Sequence, residues 1–164
     1  MSTLKKISPN GIERALEKVD RYRLLNEPGD AESICQDILD VDSQNQRALV
    51  ALLLARTDQF QHGRGAVAGA REILPRLTSE YQRAYYAGII CERWARARHN
   101  RGAPGAPATV YEWLREAMEW YEKAEALRPA GNDDPLLRWN ACARHLARHP
   151  ELKPEVEDRE AMLE

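Results

Sequence analysis

The stretch from Ala31 to Ala55, AESICQDILDVDSQNQRALVALLLA, decides the fold. Apolar side chains recur at helical spacing on both sides of a polar break, at Ile34, Cys35, Ile38, Leu39 and Val41, then at Leu49, Leu52 and Leu53. The break is Asp42–Asn45, where Ser43 with Gln46 matches the S-x-x-Q capping box that starts a helix. Two helices joined by so short a turn must pack antiparallel, and alone they cannot bury both apolar faces. The stretch therefore predicts one part of a stack of helix pairs.

Length and composition restrict the class of protein. The 164 residues suit one domain, and 43% hydrophobic with 30% charged residues is typical of a globular chain. A net charge of −2 provides no overall attraction to nucleic acid or to a membrane surface. The apolar run Ala48–Ala55 is far shorter than the ~20 residues that span a bilayer. The three cysteines lie far apart in apolar helical patterns, which predicts free buried thiols and a cytoplasmic location.

The rest of the chain repeats the helical pattern. Prolines, glycines and capping residues separate predicted helices at about 9–25, 31–41, 46–60, 66–77, 80–98, 110–127 and 134–148. Ser79 with Gln82 and Thr109 with Glu112 predict two further capping boxes, and RHNRGAPGAPA at 98–108 predicts a mobile loop. The ends are expected to be a flexible N-terminus, residues 1–8, and an acidic C-terminal tail, residues 150–164.

Four small residues share one face of the predicted helix 80–98 and are expected to let a partner helix approach closely: Ala84, Ala87, Gly88 and Cys91. The stretch AMEWYEKAEALRP then resembles the second helix and closing turn of a tetratricopeptide repeat. The small, aromatic, small and proline positions of that family are matched by Ala117, Tyr121, Ala124 and Pro129. The stretch at 30–45 is similar at Ala31, Cys35 and Ile38, with Ser43 where proline is usual. Tyr22 matches the aromatic of a first helix, and Ala87-Gly88 matches its Leu-Gly pair without the leucine.

The resemblance implies an all-α fold, a right-handed α-α superhelix of antiparallel helix pairs. Its register divides residues 9–149 into about three repeats, 12–45, 46–80 and 81–130, with a capping helix at 134–148. The first two repeats are close to the family's period of about 34 residues. The third departs from it, because a long insertion around the predicted loop is expected to separate its two helices.

Tetratricopeptide domains act as protein-interaction modules, so the resemblance also implies a function. The first helix of each pair lines a concave groove. The partner-binding positions it implies are Arg47, Val50, Leu54, Tyr85, Tyr86, Ile89, Arg93, Trp139, Asn140 and Arg144. Because most of them are apolar or aromatic, the expected partner is a protein or peptide with an apolar segment, whose acidic flanks Arg93 and Arg144 would steer. The family's clamp for acidic C-termini is not expected, since its positions hold mostly Leu16, Asp20, Ala51, Gln82 and Tyr86.

Two alternatives stay open. The chain is either a binding module or a structural, self-assembling homo-oligomer. In the second case the groove is filled by the chain's own tail or by a second protomer, which would make a homodimer. In that case the acidic stretch Glu151–Glu164 would contact the basic cluster of Arg93, Arg96, Arg98 and Arg101. A minor alternative is a secretion-type chaperone, because bacterial type III chaperones that guard translocator proteins have a similar length and repeat number.

The sequence provides no pattern for catalysis. It has no G-x-S-x-G, H-E-x-x-H or P-loop motif, so neither an enzyme nor a cofactor is predicted. Cys142, His145 and His149 share one helix face and, with His99, could ligate zinc. Their spacing matches no established zinc motif, and Cys142 is more simply a packing residue. No metal, nucleic acid or membrane partner is therefore predicted.

Overall fold

The computed structural model describes residues 1–62, 66–102 and 104–155, and all regular secondary structure in these ranges is helical. Its α-helices are α1 (Ile12–Leu24), α2 (Pro28–Val41), α3 (Gln46–Asp58), α4 (Val67–Arg71), α5 (Glu80–Arg101), α6 (Ala106–Leu127) and α7 (Asp134–Arg148). Short 3-10 turns lie at Pro9–Gly11, Gln59–His62 and Leu74–Arg76. The described ranges contain no β-strand, which confirms the predicted all-α class.

The turn between α2 and α3 has the predicted position but a different cap. The side chain of Asn45, not Ser43, accepts a hydrogen bond from the backbone N–H of Ala48 at 2.9 Å, so the predicted box of Ser43 and Gln46 is wrong. The Asn45 side-chain amide also donates to the Asp42 carboxylate at 3.2 Å. Since asparagine and serine cap helices about equally well, residue type alone does not distinguish the two positions.

The segment after α3 forms less helix than the sequence pattern predicts. α4 ends at Arg71, and a separate 3-10 turn replaces the rest of the predicted helix 66–77. Pro75 has no N–H group to donate to the carbonyl of Arg71, four residues earlier, so the α-helical hydrogen bonds cannot continue through it. Ile73 and Leu77 are nevertheless buried, so this irregular segment still covers the core.

The hairpin of α5 and α6 differs most from the prediction. Both helices extend into the predicted mobile loop 98–108 and leave only residues 102–105 between them. The predicted capping box of Thr109 with Glu112 is wrong, because Thr109 lies inside α6 and its hydroxyl donates back to the Gly105 carbonyl at 3.4 Å. The third pair thus consists of two 22-residue helices without a long insertion.

Glycine and proline mark a tight turn at this point of the chain. Gly102 and Gly105 have φ values of 62° and 75°, in the left-handed region that glycine adopts without strain. Gly102 ends α5, as a glycine in this conformation commonly does, and its N–H bonds to the carbonyls of the last turn. Pro107 lies in the first turn of α6, where its missing N–H leaves no helical bond unmade.

Two clusters of buried side chains form the interior. The first is built mainly from α1 to α4 and includes Val19, Ile38, Leu49 and Phe60. The second is built from α5 to α7 and the residues that follow, and it includes Leu114, Tyr121, Cys142 and Leu152. Leu54 of α3 and Tyr86 of α5 pack against both clusters and so connect them. The burial of Leu152 shows that packing continues into the predicted tail, whose residues 156–164 lie outside the described ranges.

The cysteines are all buried and none forms a disulfide, as predicted. Burial raises the pKa of Cys35, Cys91 and Cys142 to about 12, so these thiols stay protonated in the folded chain. Among the described helices, none is both long enough and apolar enough to cross a membrane.

Candidate functional site: a groove across alternate helices

A shallow depression lies between α1, α3 and α5. It has a volume of about 250 Å³, and its lining consists of Asp20, Arg23, Gln46, Arg47, Val50, Ala51, Leu54 and Gln82. The fold therefore brings Arg47, Val50 and Leu54, three of the expected groove positions, to one place. Asp20 of α1 holds one of the clamp positions that the resemblance implies, and it lies one period of about 34 residues before Leu54. Arg23 of α1 was not among the expected positions.

The tyrosines of α5 lie between helices, half-buried. Tyr85 stacks on Tyr81 with ring centroids 5.8 Å apart and contacts the Tyr121 ring of α6 at 5.9 Å. Tyr86 meets Tyr85 edge-on at 5.1 Å and packs towards α1 and α3. Burial, with a smaller effect of Asp134, raises the pKa of Tyr85 to about 12, so its hydroxyl remains neutral. Neither tyrosine lines the depression: Tyr86 packs against both core clusters, and Tyr85 belongs to the contact with α6.

Two other expected groove residues are engaged inside the fold. Ile89 is only 6% exposed and belongs to the second core. The Arg93 guanidinium donates to the Asp58 carboxylate at 2.6 Å and to the Thr57 hydroxyl at 2.8 Å, and so ties α5 to the end of α3. Arg23 of α1 donates to the same Asp58 at 2.7 Å. Both arginines therefore hold alternate helices together around one carboxylate.

The expected groove residues of α7 lie elsewhere. Trp139 and Asn140 line a separate depression of about 290 Å³ together with Leu136 and two glutamates of α6. The Trp139 indole N–H donates to the carboxylate of Glu122, one of these glutamates, at 3.1 Å, which turns the ring towards α6. Arg144 is exposed on the surface of α7. These residues do not join Val50 and Leu54 in the depression between α1, α3 and α5.

The sequence analysis did not predict the buried carboxylate of Glu92, which contacts Tyr121 of the second core. Glu92 of α5 is 2% exposed and accepts hydrogen bonds from Tyr121 at 2.9 Å, from Arg96 at 2.9 Å and from Arg138 of α7 through two nitrogens. Burial alone would raise the pKa of Glu92, but the bonds and charge of Arg138, then Arg96 and Tyr121, hold it below its ordinary value. The sequence feature that could have indicated this contact is the position of Glu92 one turn after Gly88, on the face of α5 that carries the small residues.

A second apolar depression lies on another side of α5. It has a volume of about 510 Å³, and its lining includes Leu74, Pro75, Ala84, Ala87 and Trp120. The ammonium group of Lys123 lies 5.3 Å from the centre of the Trp120 ring, close enough for a cation–π contact. Trp120 was not among the expected site residues, because the resemblance implies a groove lined by the first helix of each pair and Trp120 lies on α6, a second helix.

Of the four residues that could ligate zinc according to the sequence, the fold brings the three histidines together. His99 of α5, His145 of α7 and His149 each offer a nitrogen, and these atoms lie within 4.8 Å of one another. Cys142 is not in this group, because its side chain is buried in the second core. Burial, the nearby Arg96 and the two other histidines lower the pKa of His145 to about 4, so its imidazole is neutral near neutral pH.

Comparison with known proteins leaves the family open. No protein-family model matches the sequence, and no curated protein or solved structure is significantly similar to it. The tetratricopeptide resemblance therefore depends on the residue pattern alone.

Proposed function

We propose that the chain is a protein-interaction module, built in the manner of a tetratricopeptide superhelix, which binds a short partner segment between α1, α3 and α5. The depression at this place carries the proposal, because the first helices of successive pairs line the binding groove in such arrays. Contacts of α1 with α3, and of α3 with α5, support the same arrangement.

The spacing of polar contacts between alternate helices also supports a repeat. Glu13 and Arg47 are 34 residues apart and pair at 2.8 Å, and Arg23 and Asp58 are 35 apart. Thr57 and Arg93, which join the next two alternate helices, are 36 apart. These separations are close to the tetratricopeptide period of about 34 residues. The contact of Glu92 with Arg138 spans 46 residues, because α5 and α6 are longer than the earlier helices.

The size and lining of the groove indicate the chemistry of the partner. At about 250 Å³ the depression is smaller than the roughly 300–1,000 Å³ of typical small-molecule sites. It suits one or two apolar side chains of a peptide, seated on Val50 and Leu54. The pair of Arg47 with Glu13 is 61% and 77% exposed, so an acidic residue of the partner can replace Glu13 at a cost of about 0–1 kcal/mol.

The polar contacts of the groove differ from those expected from sequence. Arg93 is already held by Asp58, and Arg144 lies on α7, so neither is assigned to the partner's acidic flanks. Arg47 of α3 and Gln82 of α5, which both line the depression, take that part in the proposal. The partner is accordingly a segment with an apolar residue beside an acidic one.

Site-specific photo-crosslinking tests this function. A photoreactive amino acid replaces Val50 in the groove, and in a matched control it replaces Leu137, an apolar residue of α7 that is 61% exposed. Both proteins are irradiated in an extract of the source cells, and the crosslinked peptides are sequenced. We expect one partner segment at position 50 with no counterpart at position 137. Identical products at the two positions, or none at position 50, would contradict the proposal.

The crosslinked segment is then synthesised and titrated with the purified protein. We expect Val50→Glu to weaken its binding more than tenfold, because the substitution places a charge in the apolar floor. Leu137→Glu, which changes an exposed apolar residue to the same charge, should leave the affinity unchanged. Circular dichroism of both variants checks that the helices are retained.

The same experiment distinguishes the remaining alternatives. A crosslink at position 50 to a second copy of this chain, together with a dimer in light scattering, would favour self-assembly. A crosslink to the chain's own C-terminal residues would favour a tail that fills the groove, and one to a secreted translocator would favour a secretion-type chaperone. The free buried thiols of Cys35, Cys91 and Cys142 support a reducing compartment, and we propose the cytoplasm.

A further inference from the structure

We infer that His99, His145 and His149 form a binding site for a divalent transition-metal ion, for which zinc is the appropriate probe. One nitrogen from each imidazole lies within 4.8 Å of the others, although the residues come from the end of α5 and the end of α7. Imidazole is a ligand type that suits zinc, copper, iron and nickel. Three histidines with a water at the fourth position match a known type of tetrahedral zinc coordination.

The nitrogens of His99 and His145 require little adjustment for such an ion. Nδ1 of His99 and Nε2 of His145 are 3.0 Å apart. Two ligands at Zn–N distances of 2.0–2.1 Å in a tetrahedral site are about 3.3 Å apart, so the two rings must separate by only a few tenths of an ångström. The three ring centroids are already 4.6–5.1 Å apart.

Glu151 has the position of a carboxylate that orients metal-binding histidines. Its Oε1 lies 3.1 Å from Nδ1 of His149 and 3.6 Å from Nε2 of His99. Metal-binding histidines usually donate the N–H of their other ring nitrogen to such a group, which fixes the tautomer. With Glu151 on these two nitrogens, Nδ1 of His99 and Nε2 of His149 are left for the ion, beside Nε2 of His145.

The charges around the three histidines have opposite effects on a bound cation. His99 and His145 lie in the last turns of their helices, where the partial negative charge of the backbone carbonyls favours a cation. Glu151 adds a negative charge. Arg96 and Arg148 repel a cation, although Arg96 is itself paired with Glu92. Arg96 is paired with Glu92 and Arg148 is exposed to water, so their repulsion of a cation is weakened. We therefore expect coordination by the three nitrogens to outweigh this repulsion.

The inferred ion has a structural consequence that does not depend on the groove function. It would connect the end of α5 to the end of α7 and hold the residues that follow α7, next to the buried Leu152. A ligand that binds only the folded chain stabilises it in proportion to the logarithm of its concentration over the dissociation constant. Zinc should therefore raise the melting temperature of the wild-type protein.

Zinc titration of an untagged, chelator-treated protein tests the inference. A competing chromophoric chelator reports the affinity and the number of ions bound, and we expect one ion per chain. His99→Gln, His145→Gln and His149→Gln should each weaken zinc binding more than 100-fold. Glu151→Gln, which changes an exposed residue and keeps all three ligands, should weaken it about 10- to 100-fold. His62→Gln is the matched control, because this histidine lies away from the cluster and contacts Asn26 instead.

Two further measurements test which side chains are the ligands and whether the ion stabilises the fold. Cys142→Ala should bind zinc like the wild type, and cobalt bound to the wild type should show no thiolate-to-metal charge-transfer absorption, since the thiol is not a ligand. Zinc should raise the melting temperature of the wild type and of His62→Gln, but not of His149→Gln. No zinc binding by the wild type beyond that of His149→Gln would overturn the inference, as would equal losses in His62→Gln. His149 follows the last residue of α7, so we expect its substitution to leave the described helices intact, which circular dichroism checks.

Discussion

The ring of Tyr121 in α6 lies directly against Gly88 in α5, so closely that a Cβ atom on residue 88 would be 2.5 Å from the ring carbon Cε1. The Tyr121 hydroxyl then donates to Glu92, one turn further along α5. The absence of a side chain at Gly88 thus leaves space for the Tyr121 ring, and the buried Glu92 carboxylate fixes its hydroxyl. This relationship sets the close approach of the two longest helices.

Gly88→Ala should destabilise the protein. The Tyr121 ring is fully buried and cannot move away easily, so we expect a loss of about 1–3 kcal/mol in the free energy of unfolding, as for other overpacked cores. Urea denaturation measures it. Gly69→Ala is the matched control, because no atom lies within 4 Å of its Cβ position in α4. That variant should gain about 0.5–1 kcal/mol from helix propensity. Equal effects of the two substitutions would contradict the packing argument.

Glu92→Gln should be among the most destabilising single changes in the chain. It removes the charge that Arg138 and Arg96 both contact and leaves two arginines facing a neutral group. We expect a loss of about 3 kcal/mol, at the low end for broken buried pairs because the arginines remain partly in water. Glu116→Gln, which breaks the half-exposed pair with Arg71, should cost less than about 1 kcal/mol. Chemical denaturation of both variants tests the contrast.

The same carboxylate should make the stability depend on pH in the acid range. The pKa of Glu92 in the folded chain lies below its ordinary value of 4.5, so the unfolded chain binds its proton first as the pH falls. The contribution of Glu92 is therefore complete above pH 4.5 and is lost as the pH falls through the lowered folded pKa. The difference in unfolding free energy between wild type and Glu92→Gln should narrow over this range. A constant difference from neutral pH to pH 3 would contradict this assignment.

The thiols should be unreactive in the folded chain. Burial raises the pKa of each to about 12, so thiolate is scarce and reagents have no access. We expect no alkylation by iodoacetamide near neutral pH, and three alkylated cysteines per chain after unfolding in urea. Because these pKa values lie above the ordinary 9.0, stability should also fall as the pH rises above that value. Rapid native-state alkylation, read by mass spectrometry, would show that the burial is not maintained.

Local sequence patterns were sufficient for the class of fold and for most helix boundaries. The period of apolar residues in α2 and α3 and the capping serine at Ser79, whose side chain accepts from the Gln82 N–H, are properties of neighbouring residues. The mobile loop predicted at 98–108 was wrong, because glycine and proline are typical of a tight turn, such as that at Gly102 and Gly105, as well as of a long loop. The small face of α5 indicated a close approach, but not that Tyr121 would fill it.

The groove could be predicted in part. Arg47, Val50 and Leu54 lie on one helix, so their common face follows from the helical period. Tertiary packing alone decided that Arg93 is held by Asp58 and that Trp139 turns towards Glu122. These contacts depend on helix lengths and crossing geometry, which local periodicity does not contain.

What the sequence by itself determined is a set of amphipathic helices joined by short turns, since each of these features depends on residues a few positions apart. Tertiary structure decided which distant groups meet, such as Glu92 with Arg138 and His99 with His145, both separated by 46 residues. The physical reason is that the length of the α5–α6 hairpin sets the register of α7 on α5. One additional turn in either helix would move every such pair apart while leaving the local pattern unchanged.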